Sequence, residues 1–218
     1  MHHWAAIFDW DGVIIDSSRH HERSWDRLAA EEKRALPDGF FLRSFGMKNQ
    51  TIIPELLRWT TDTAEIERLS SRKEVLYREN LSAEGISPLP GVLKLLEDLR
   101  GEDIPCAIAS STPRKNIECV IDQIGVRNYF SATVSGEDVT HGKPNPEVFL
   151  LAARRLGAAP ERCVVFEDAH VGIEAAVAAG MKSVGVATTH AAESLHRADR
   201  VVQRLTEISV AELNNWFR

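Results

Sequence analysis

The sequence has 218 residues, of which 44% are apolar and 27% charged, and its formal net charge is −6. This length supports one sizeable core with a smaller second lobe, and the composition is ordinary for a soluble globular protein. No basic stretch is long enough to indicate nucleic-acid binding, and no apolar segment approaches the roughly 20 residues that a membrane helix needs.

The first predicted element is a strand over residues 5–9. Because Met1-His2-His3-Trp4 leads straight into it, we expect no signal peptide. A long helical stretch follows, with predicted helices from Ser17 or Ser18 through Ala30, from Asn49 or Thr51 through Trp59, and from about 62 to 80. The Trp, Leu and Ile side chains of these helices are expected to form their own small core.

The connections at the two ends of this helical stretch resemble a hinge. Residues 12–16 lead out of the first strand, and the Gly- and Pro-rich residues 85–91 lead back. We therefore predict a helical cap domain over residues 17–87, inserted into a core domain made of residues 1–16 and 88–218. Both ends of the insertion return to the end of the first strand, which is the geometry of a lid.

From residue 92 onward, helices and strands alternate. The predicted helices are 92–100, 113–124, 146–156 and 171–179, and the predicted strands are 104–109, 132–135, 163–167, 182–186 and 200–202. This alternation predicts an α/β fold, a doubly wound parallel sheet with a Rossmann-like core that carries the inserted helical cap. Cys106 and Cys163 fall in predicted buried strands, and no cysteines have CxxC spacing, so we expect free thiols in a reducing cytoplasm.

Three of the apolar strands run directly into reactive polar residues: Asp9 and Asp11, then Ser110-Ser111-Thr112, then Glu167-Asp168. Ligands of open parallel sheets bind beyond the carboxyl ends of the strands, so these side chains are expected to meet at one edge. So many carboxylates are hard to keep ionised together without a cation. Oxygen-only ligands indicate a hard metal, and we predict Mg²⁺.

The residue types suggest separate roles at this edge. Of Asp9 and Asp11, one carboxylate is suited to act as a nucleophile and the other as a general acid and base, and Gly12 lets the backbone leave the strand sharply. Hydroxyls and free backbone N–H groups at Ser110-Ser111-Thr112 suit a phosphate oxygen, and helix capping is the alternative for Ser110. Thr112 is expected only to cap the following helix.

Lys143 lies in Gly142-Lys143-Pro144-Asn145-Pro146, where the two prolines stiffen the loop and aim the lysine at the acids. For Asp168, the alternative to metal binding is ordinary capping of the next helix. No histidine has zinc-ligand spacing with another histidine or a cysteine. On the third cap helix, a set of charged residues is expected to form a solvated face, with Lys73 alone as a candidate lid contact: Glu65, Glu67, Arg68, Arg72, Lys73 and Glu74.

Taken together, the motifs resemble those of the haloacid dehalogenase superfamily, and within it the β-phosphoglucomutase and phosphoglycolate-phosphatase-like enzymes. The resembling segments are Phe8 to Ser17, Ala109 to Thr112, Gly142 to Pro144 and Phe166 to Ile173, and the match covers essentially the whole chain. The resemblance implies an aspartyl-phosphate formed on Asp9, with Asp11 protonating the leaving group and then activating the attacking water or hydroxyl. It also implies Lys143 and Ser110 as catalytic partners.

The resemblance also implies the metal ligands and the substrate contacts. Mg²⁺ would be held by Asp9, by the Asp11 backbone carbonyl, by Asp168 and by Glu167 directly or through water. The phosphoryl group and the rest of the substrate would be contacted by Ser110, Ser111, Lys143, His21, Asn49 and Lys73. The substrate would be a small phosphorylated metabolite, and the protein a monomer that binds neither nucleic acid nor membranes.

Three functions follow from this set. Dehalogenases and phosphonatases of the superfamily lack an acid at the position of Asp11, so its presence favours a phosphate ester as substrate. A phosphomutase is the first alternative, because His21 matches its hinge histidine; against it, Asn49 replaces its cap arginine, and the adjacent Lys48 cannot form a bidentate contact. The third reading is a protein that binds a phosphorylated metabolite without turnover.

Overall fold

The computed structural model describes residues 4–44 and 47–218, so Met1 to His3 and the Phe45-Gly46 pair of the cap loop lie outside the described residues. Its centre is a six-stranded sheet in which all the paired strands are parallel, in the order β3-β2-β1-β4-β5-β6. The strands are β1 (Ala5–Phe8), β2 (Cys106–Ala109), β3 (Ala132–Val134), β4 (Cys163–Glu167), β5 (Lys182–Val186) and β6 (Arg200–Val202). The doubly wound α/β fold is therefore confirmed.

The helices alternate with these strands and fill the cap. They are α1 (Ser18–Glu31), α2 (Phe40–Ser44), α3 (Asn49–Thr51), α4 (Thr63–Glu84), α5 (Val92–Gly101), α6 (Arg114–Ile121), α7 (Glu147–Leu156), α8 (His170–Ala178) and α9 (Val210–Asn215). In the described ranges, no helix combines the length and the apolar character that crossing a membrane requires.

Strand β1 lies between β2 and β4 and is buried on both faces. Phe8 pairs with Phe166 of β4, and the two rings stack 4.5 Å apart in the larger apolar cluster, whereas Ile7 points to the opposite cluster. Strand order reverses between β1 and β4, which makes this the switch point where open sheets bind ligands. The carboxyl ends of these two strands therefore lie side by side.

The cap helices form an apolar cluster of their own. Trp25, Leu28 and Ile53 lie at its centre, and Trp59 packs against it. The outgoing and returning connections pair with each other: Ile15 bridges Pro88, and the Leu89 N–H donates to the Ile14 carbonyl at 2.9 Å. The predicted cap core is thus present, while the domain division at residues 16 and 87 stays a prediction.

Several element boundaries differ from the sequence predictions. The third cap helix continues to Glu84, and the helix predicted from Asn49 changes into a π-helix over Ile52–Leu56. That change falls where Pro54 has no N–H for an α-helical bond. Strand β2 begins at Cys106, one residue after Pro105, which for the same reason cannot donate to a ladder. The short helices α2 and α9 were not predicted, because five or six residues carry too little periodicity.

Candidate active site

Three carboxylates meet where β1 and β4 end. Asp9, Glu167 and Asp168 each place an oxygen within 4.8 Å of the others. All three side chains are buried, Glu167 and Asp168 completely. The chain thus brings together residues that are about 160 positions apart, because their two strands are neighbours in the sheet.

Two glycines make room for these acids. Gly12 has a φ of +80°, and a Cβ atom there would overlap the Asp168 carboxylate. Gly172, in the first turn of α8, faces Glu167, and its Cβ would overlap Glu167 Oε1. The loop after β1 and the start of α8 can approach the acids only because both positions lack a side chain.

The electrostatics of the acidic cluster favour a bound cation. Burial and the charge of Asp9 raise the pKa of Asp168 to about 8, and the same two causes raise the pKa of Glu167 well above its usual range. Within the described part of the chain, the buried Asp168 Oδ1 has no hydrogen-bond partner. A divalent cation would supply that partner and allow all three acids to ionise, so the residues fit a hard metal ion.

Lys143 lies on the other side of Asp9. Its Nζ is 3.0 Å from Asp9 Oδ1 and 3.1 Å from Glu167 Oε1, and its side chain is 1% exposed. Burial alone would lower the pKa of Lys143, but the two carboxylates outweigh it and hold the pKa above its usual range. The lysine is therefore a fixed positive charge beside the Asp9 carboxylate, as its loop predicted.

Asp11 is held by partners other than the acidic cluster. Ser17 Oγ donates to Oδ1 and Thr112 Oγ1 donates to Oδ2, while His21 Nε2 lies 3.5 Å from Oδ1. Burial tends to raise its pKa, but His21 and the two hydroxyl hydrogen bonds lower the pKa of Asp11 to about 2. The Asp11 carboxylate therefore points toward these hydroxyls and His21 and away from the other three acids.

The contacts of Thr112 correct one expectation, and those of Ser17 resemble them. Thr112 was predicted only to cap the following helix, but α6 is preceded by Pro113 without a side-chain cap, and the Thr112 hydroxyl binds Asp11 instead. Ser17 likewise precedes α1 without capping it. Both hydroxyls donate to the Asp11 carboxylate instead, since a charged acceptor forms the stronger hydrogen bond.

Ser110 and Ser111 line a cavity of about 670 Å³ together with Asp9 and Asp11. Ser110 is buried, and its Oγ accepts from the Thr112 N–H at 3.2 Å. Gly136 is in contact with the Ser111 carbonyl, and a Cβ there would collide with it. The cavity continues to the cap, where its lining includes His21, Asn49, Lys73 and Glu74.

The cap side of the cavity carries a buried polar network. Lys73 Nζ lies 2.6 Å from His21 Nδ1 and 3.0 Å from Glu74 Oε1, and Asn49 Nδ2 donates to the same Glu74 oxygen at 2.7 Å. Asn116 of α6 donates to the other oxygen of Glu74. With Lys73 donating to Nδ1, the His21 Nε2–H is left to face Asp11.

Glu74 therefore corrects the prediction of a solvated helix face on α4. Its neighbours Glu67 and Arg68 are exposed as predicted and Glu65 is half-buried, but Glu74 is only 7% exposed. Helical spacing alone did not reveal it, because the residues that bury it belong to α3 and α6. Asn116, its partner on α6, was also missed.

Lys48 joins the cap to the core. Its Nζ donates to the carbonyl oxygens of Gly136 at 2.8 Å and Val139 at 3.0 Å. From the sequence, Lys48 was expected only to be a weak substitute for an arginine. In the structure, its two hydrogen bonds connect the cap loop to the loop after β3.

Thr189 is a further residue that sequence reasoning missed. Its hydroxyl donates to Asp168 Oδ2, and His190 Nδ1 lies 3.1 Å from the Asp168 carbonyl oxygen. A signal for it existed, because the apolar strand β5 is followed by Ala187-Thr188-Thr189-His190, a strand running into polar residues like the three that were recognised.

The fold and this site define a class of protein. Residues 5–180 match the family model described as a haloacid dehalogenase-like hydrolase. The chain belongs to the haloacid dehalogenase-like hydrolase family and is an enzyme of that family.

Comparison with named relatives supports the same family assignment. A chloroplastic 5-amino-6-(5-phospho-D-ribitylamino)uracil phosphatase from Arabidopsis thaliana is 40% identical over 212 residues, which are 96% of this chain and 56% of that protein. The chain thus spans little more than half of that relative's length. A fructose-1-phosphate phosphatase from Escherichia coli is 32% identical, over 84% of this chain and 95% of its own.

Among solved structures, a β-phosphoglucomutase from Clostridium difficile superposes with a TM-score of 0.87. It is 28% identical, and the alignment covers 100% of this chain and 97% of the other. The sheet and the cap of this chain therefore share the architecture of that enzyme.

Proposed function

We propose that this chain is a magnesium-dependent phosphatase that hydrolyses a small phosphorylated metabolite through an aspartyl-phosphate on Asp9. The observation that carries the proposal is the position of Asp9, between the Lys143 ammonium at 3.0 Å and the buried carboxylates of Glu167 and Asp168. A carboxylate nucleophile needs positive charge beside it to approach a phosphate anion; Lys143 supplies it on one side, and a cation held by the acids would supply it on the other.

In the first step, an Asp9 carboxylate oxygen attacks phosphorus and the bond from phosphorus to the ester oxygen breaks. Lys143 offsets the charge of Asp9 and of the phosphoryl group. Ser110 and the Ser111 N–H, at the same edge of the sheet, would bind the phosphoryl oxygens. These residues act by position and charge, which is where most of the catalysis of phosphoryl transfer arises.

Asp11 would transfer the protons. The low pKa of Asp11, about 2, means that the carboxylate is ionised before substrate binds. The approach of a phosphate anion raises the pKa of a neighbouring carboxyl group, so Asp11 would take up a proton that it then gives to the leaving oxygen. In the second step it would remove a proton from the water that attacks the aspartyl-phosphate.

Mg²⁺ would be held by Asp9, Glu167 and Asp168, and when bound it supplies positive charge that offsets the repulsion between the nucleophile and the phosphate. Asp168 Oδ1, which is buried and has no hydrogen-bond partner among the described residues, supports this assignment, as does the all-oxygen donor set. Thr189 and Gly12, which contact Asp168, would keep that carboxylate in place.

The substrate class is supported by the cavity and by the relatives. The cavity of about 670 Å³ reaches from Asp9 to the polar residues of the cap, which suits a metabolite with a hydrogen-bonding body attached to its phosphate. Named relatives act on a phosphoribitylamino-uracil and on fructose 1-phosphate. Screening phosphate release from a panel of phosphorylated metabolites tests the proposal, and no release from any of them, in the presence of Mg²⁺, would overturn it.

A phosphomutase is the second candidate, and one observation favours it: His21 links Asp11 to Lys73 of the cap, as a hinge histidine would. Against it, Asn49 stands at the position of the mutase's cap arginine, and its amide is bonded to Glu74. Incubation with a hexose 1-phosphate and a catalytic amount of its bisphosphate separates the two. Isomerisation without release of inorganic phosphate would establish the mutase.

A further inference from the structure

Glu74 places a buried negative charge in the cap half of the cavity, and the proposed chemistry does not use it. Its two oxygens accept hydrogen bonds from Lys73, Asn49 and Asn116. Asn49 lies on α3 of the cap, and Asn116 lies on α6 of the core. The Glu74 carboxylate therefore accepts hydrogen bonds from both the cap and the core. Since Glu74 also lines the cavity, its charge acts on whatever binds there.

The charge of Glu74 cancels that of Lys73. Lys73 is 3% exposed and its Nζ is 3.0 Å from Glu74 Oε1. Apart from Asp9 and Asp11, these two are the buried charged residues among the described cavity-lining side chains, whereas Arg78 and Lys115 are more exposed. The buried part of the cap wall therefore carries no net charge, and the other charged cap residues that line the cavity, Lys48, Glu67 and Arg78, are more exposed. A wall built to hold a second phosphate would need a net positive charge there.

The hydroxyl of Ser70, on the same wall, indicates the kind of ligand group that the wall binds. Ser70 lies one helical turn before Glu74, lines the cavity and is 5% exposed. Within the described residues, its Oγ has no hydrogen-bond partner. A buried hydroxyl without a partner costs free energy unless a ligand satisfies it, and a neutral hydroxyl or amide of the ligand would do so.

From these observations we infer that Glu74 is a specificity-determining residue, which selects monophosphates with a neutral, hydrogen-bonding body and disfavours a second phosphate. This inference rests on the proposed phosphatase function. A second phosphate would face the Glu74 carboxylate and would find Lys73 already paired. A sugar or polyol hydroxyl would instead find the acceptor oxygens of Glu74 and the hydroxyl of Ser70.

The test compares two substrates that share a sugar, fructose 1-phosphate and fructose 1,6-bisphosphate, by the KM of each in the presence of Mg²⁺. The wild type should have the lower KM for the monophosphate. Glu74→Gln keeps the shape and the acceptor oxygen but removes the charge, so Lys73 becomes available. We expect the KM for the bisphosphate to fall about tenfold relative to that for the monophosphate, equivalent to about 1.4 kcal/mol.

Two further variants identify the cause. Lys73→Met combined with Glu74→Gln should reverse most of the gain, because the lysine that attracts the second phosphate is gone. Lys73→Met alone should move the KM ratio in the opposite direction from Glu74→Gln, and this variant keeps the test valid if Glu74→Gln does not fold. The matched control is Glu79→Gln, which removes the same charge from an exposed position of α4 outside the cavity and should leave the ratio unchanged.

An unchanged KM ratio in both Glu74→Gln and Lys73→Met, with cooperative thermal unfolding retained, would overturn the inference. An equal change in Glu79→Gln would also overturn it, because the effect would then come from overall charge. Failure of the proposed function looks different: the wild type would release no phosphate from these two substrates or from any other member of the metabolite panel.

Discussion

The carboxylate of Glu167 lies in the space that a side chain on Gly172 would occupy, since a Cβ atom there would overlap Glu167 Oε1. The first turn of α8 can therefore approach the end of β4 only with glycine at this position. The position of Glu167, one of the proposed metal ligands, therefore depends on the missing side chain at Gly172.

Gly172→Ala should weaken metal binding. The methyl group must displace either the Glu167 carboxylate or the start of α8, so we expect the Mg²⁺ concentration for half-maximal phosphate release to rise about tenfold or more. Gly101→Ala is the matched control, because its Cβ would meet no atom within 4 Å. An unchanged Mg²⁺ requirement in Gly172→Ala would contradict this prediction.

Asp9→Asn should abolish turnover while the protein stays folded. The amide cannot attack phosphorus, so we expect phosphate release to fall on the order of a thousandfold or more. Removing the charge also relieves the repulsion that raises the pKa of Asp168, so the Tm without metal should stay equal or rise. Phosphate release and thermal unfolding check both effects, and wild-type-like activity would exclude Asp9 as the nucleophile.

Metal removal should stop the reaction and lower stability. Chelation with EDTA should abolish phosphate release, and added Mg²⁺ should restore it. Because the three acids are brought together only in the folded state, Mg²⁺ at a hundred times its Kd should stabilise the protein by about 2.7 kcal/mol. Thermal unfolding with and without Mg²⁺ measures this, and an Asp168→Asn variant should lose most of the increase. Full activity in EDTA would refute the metal assignment.

Asp138 should make a pH-dependent contribution to stability. Partial burial raises its pKa, but hydrogen bonds from Arg155 at 2.8 Å and from Ser135 outweigh this, as does the Arg114 charge, and hold the pKa of Asp138 well below its usual range. A carboxyl with a lowered folded-state pKa stabilises the protein above its unfolded-state pKa of about 3.9, and this stabilisation is lost as the pH falls through the folded-state value.

The variant Asp138→Asn should therefore be about 1–3 kcal/mol less stable than the wild type at pH 7. The difference should shrink progressively below about pH 4. Urea unfolding of both proteins at a series of pH values gives the free energies of unfolding. Asp122→Asn, at an exposed carboxylate, provides a comparison that should change little. A difference that stays constant with pH would mean that the charge of Asp138 is not the source of its contribution.

The fold was predictable because its signals are local. Strands β4, β5 and β6 have the predicted bounds, Cys163–Glu167, Lys182–Val186 and Arg200–Val202. Alternation with helices required a parallel sheet, and the polar residues after the strands then had to lie at one edge. Some boundaries moved where a proline removed a donor, as at Pro54 and Pro105, and elements too short to show a period were missed.

The partners of the site residues were less predictable. Thr112 looked like a helix cap and Glu74 like part of a solvated face, since each fits the rule for its own element. Their contacts come from elsewhere: Thr112 binds Asp11, 101 positions earlier, and Glu74 binds Asn116, 42 positions later. A local rule cannot assign a hydrogen bond to a partner that only another element supplies.

The sequence by itself determined which carboxylates and hydroxyls end the strands and which lysine lies in a stiff loop, because hydrophobic runs, glycines and prolines specify where the backbone turns. Only the tertiary structure decided which of these groups form hydrogen bonds or ion pairs with one another. It directed Asp11 to hydroxyls rather than to the acidic cluster, and it paired Lys73 with Glu74 inside the cavity. The physical reason is that burial and distance, which set the strength of an electrostatic interaction, exist only once the chain has folded.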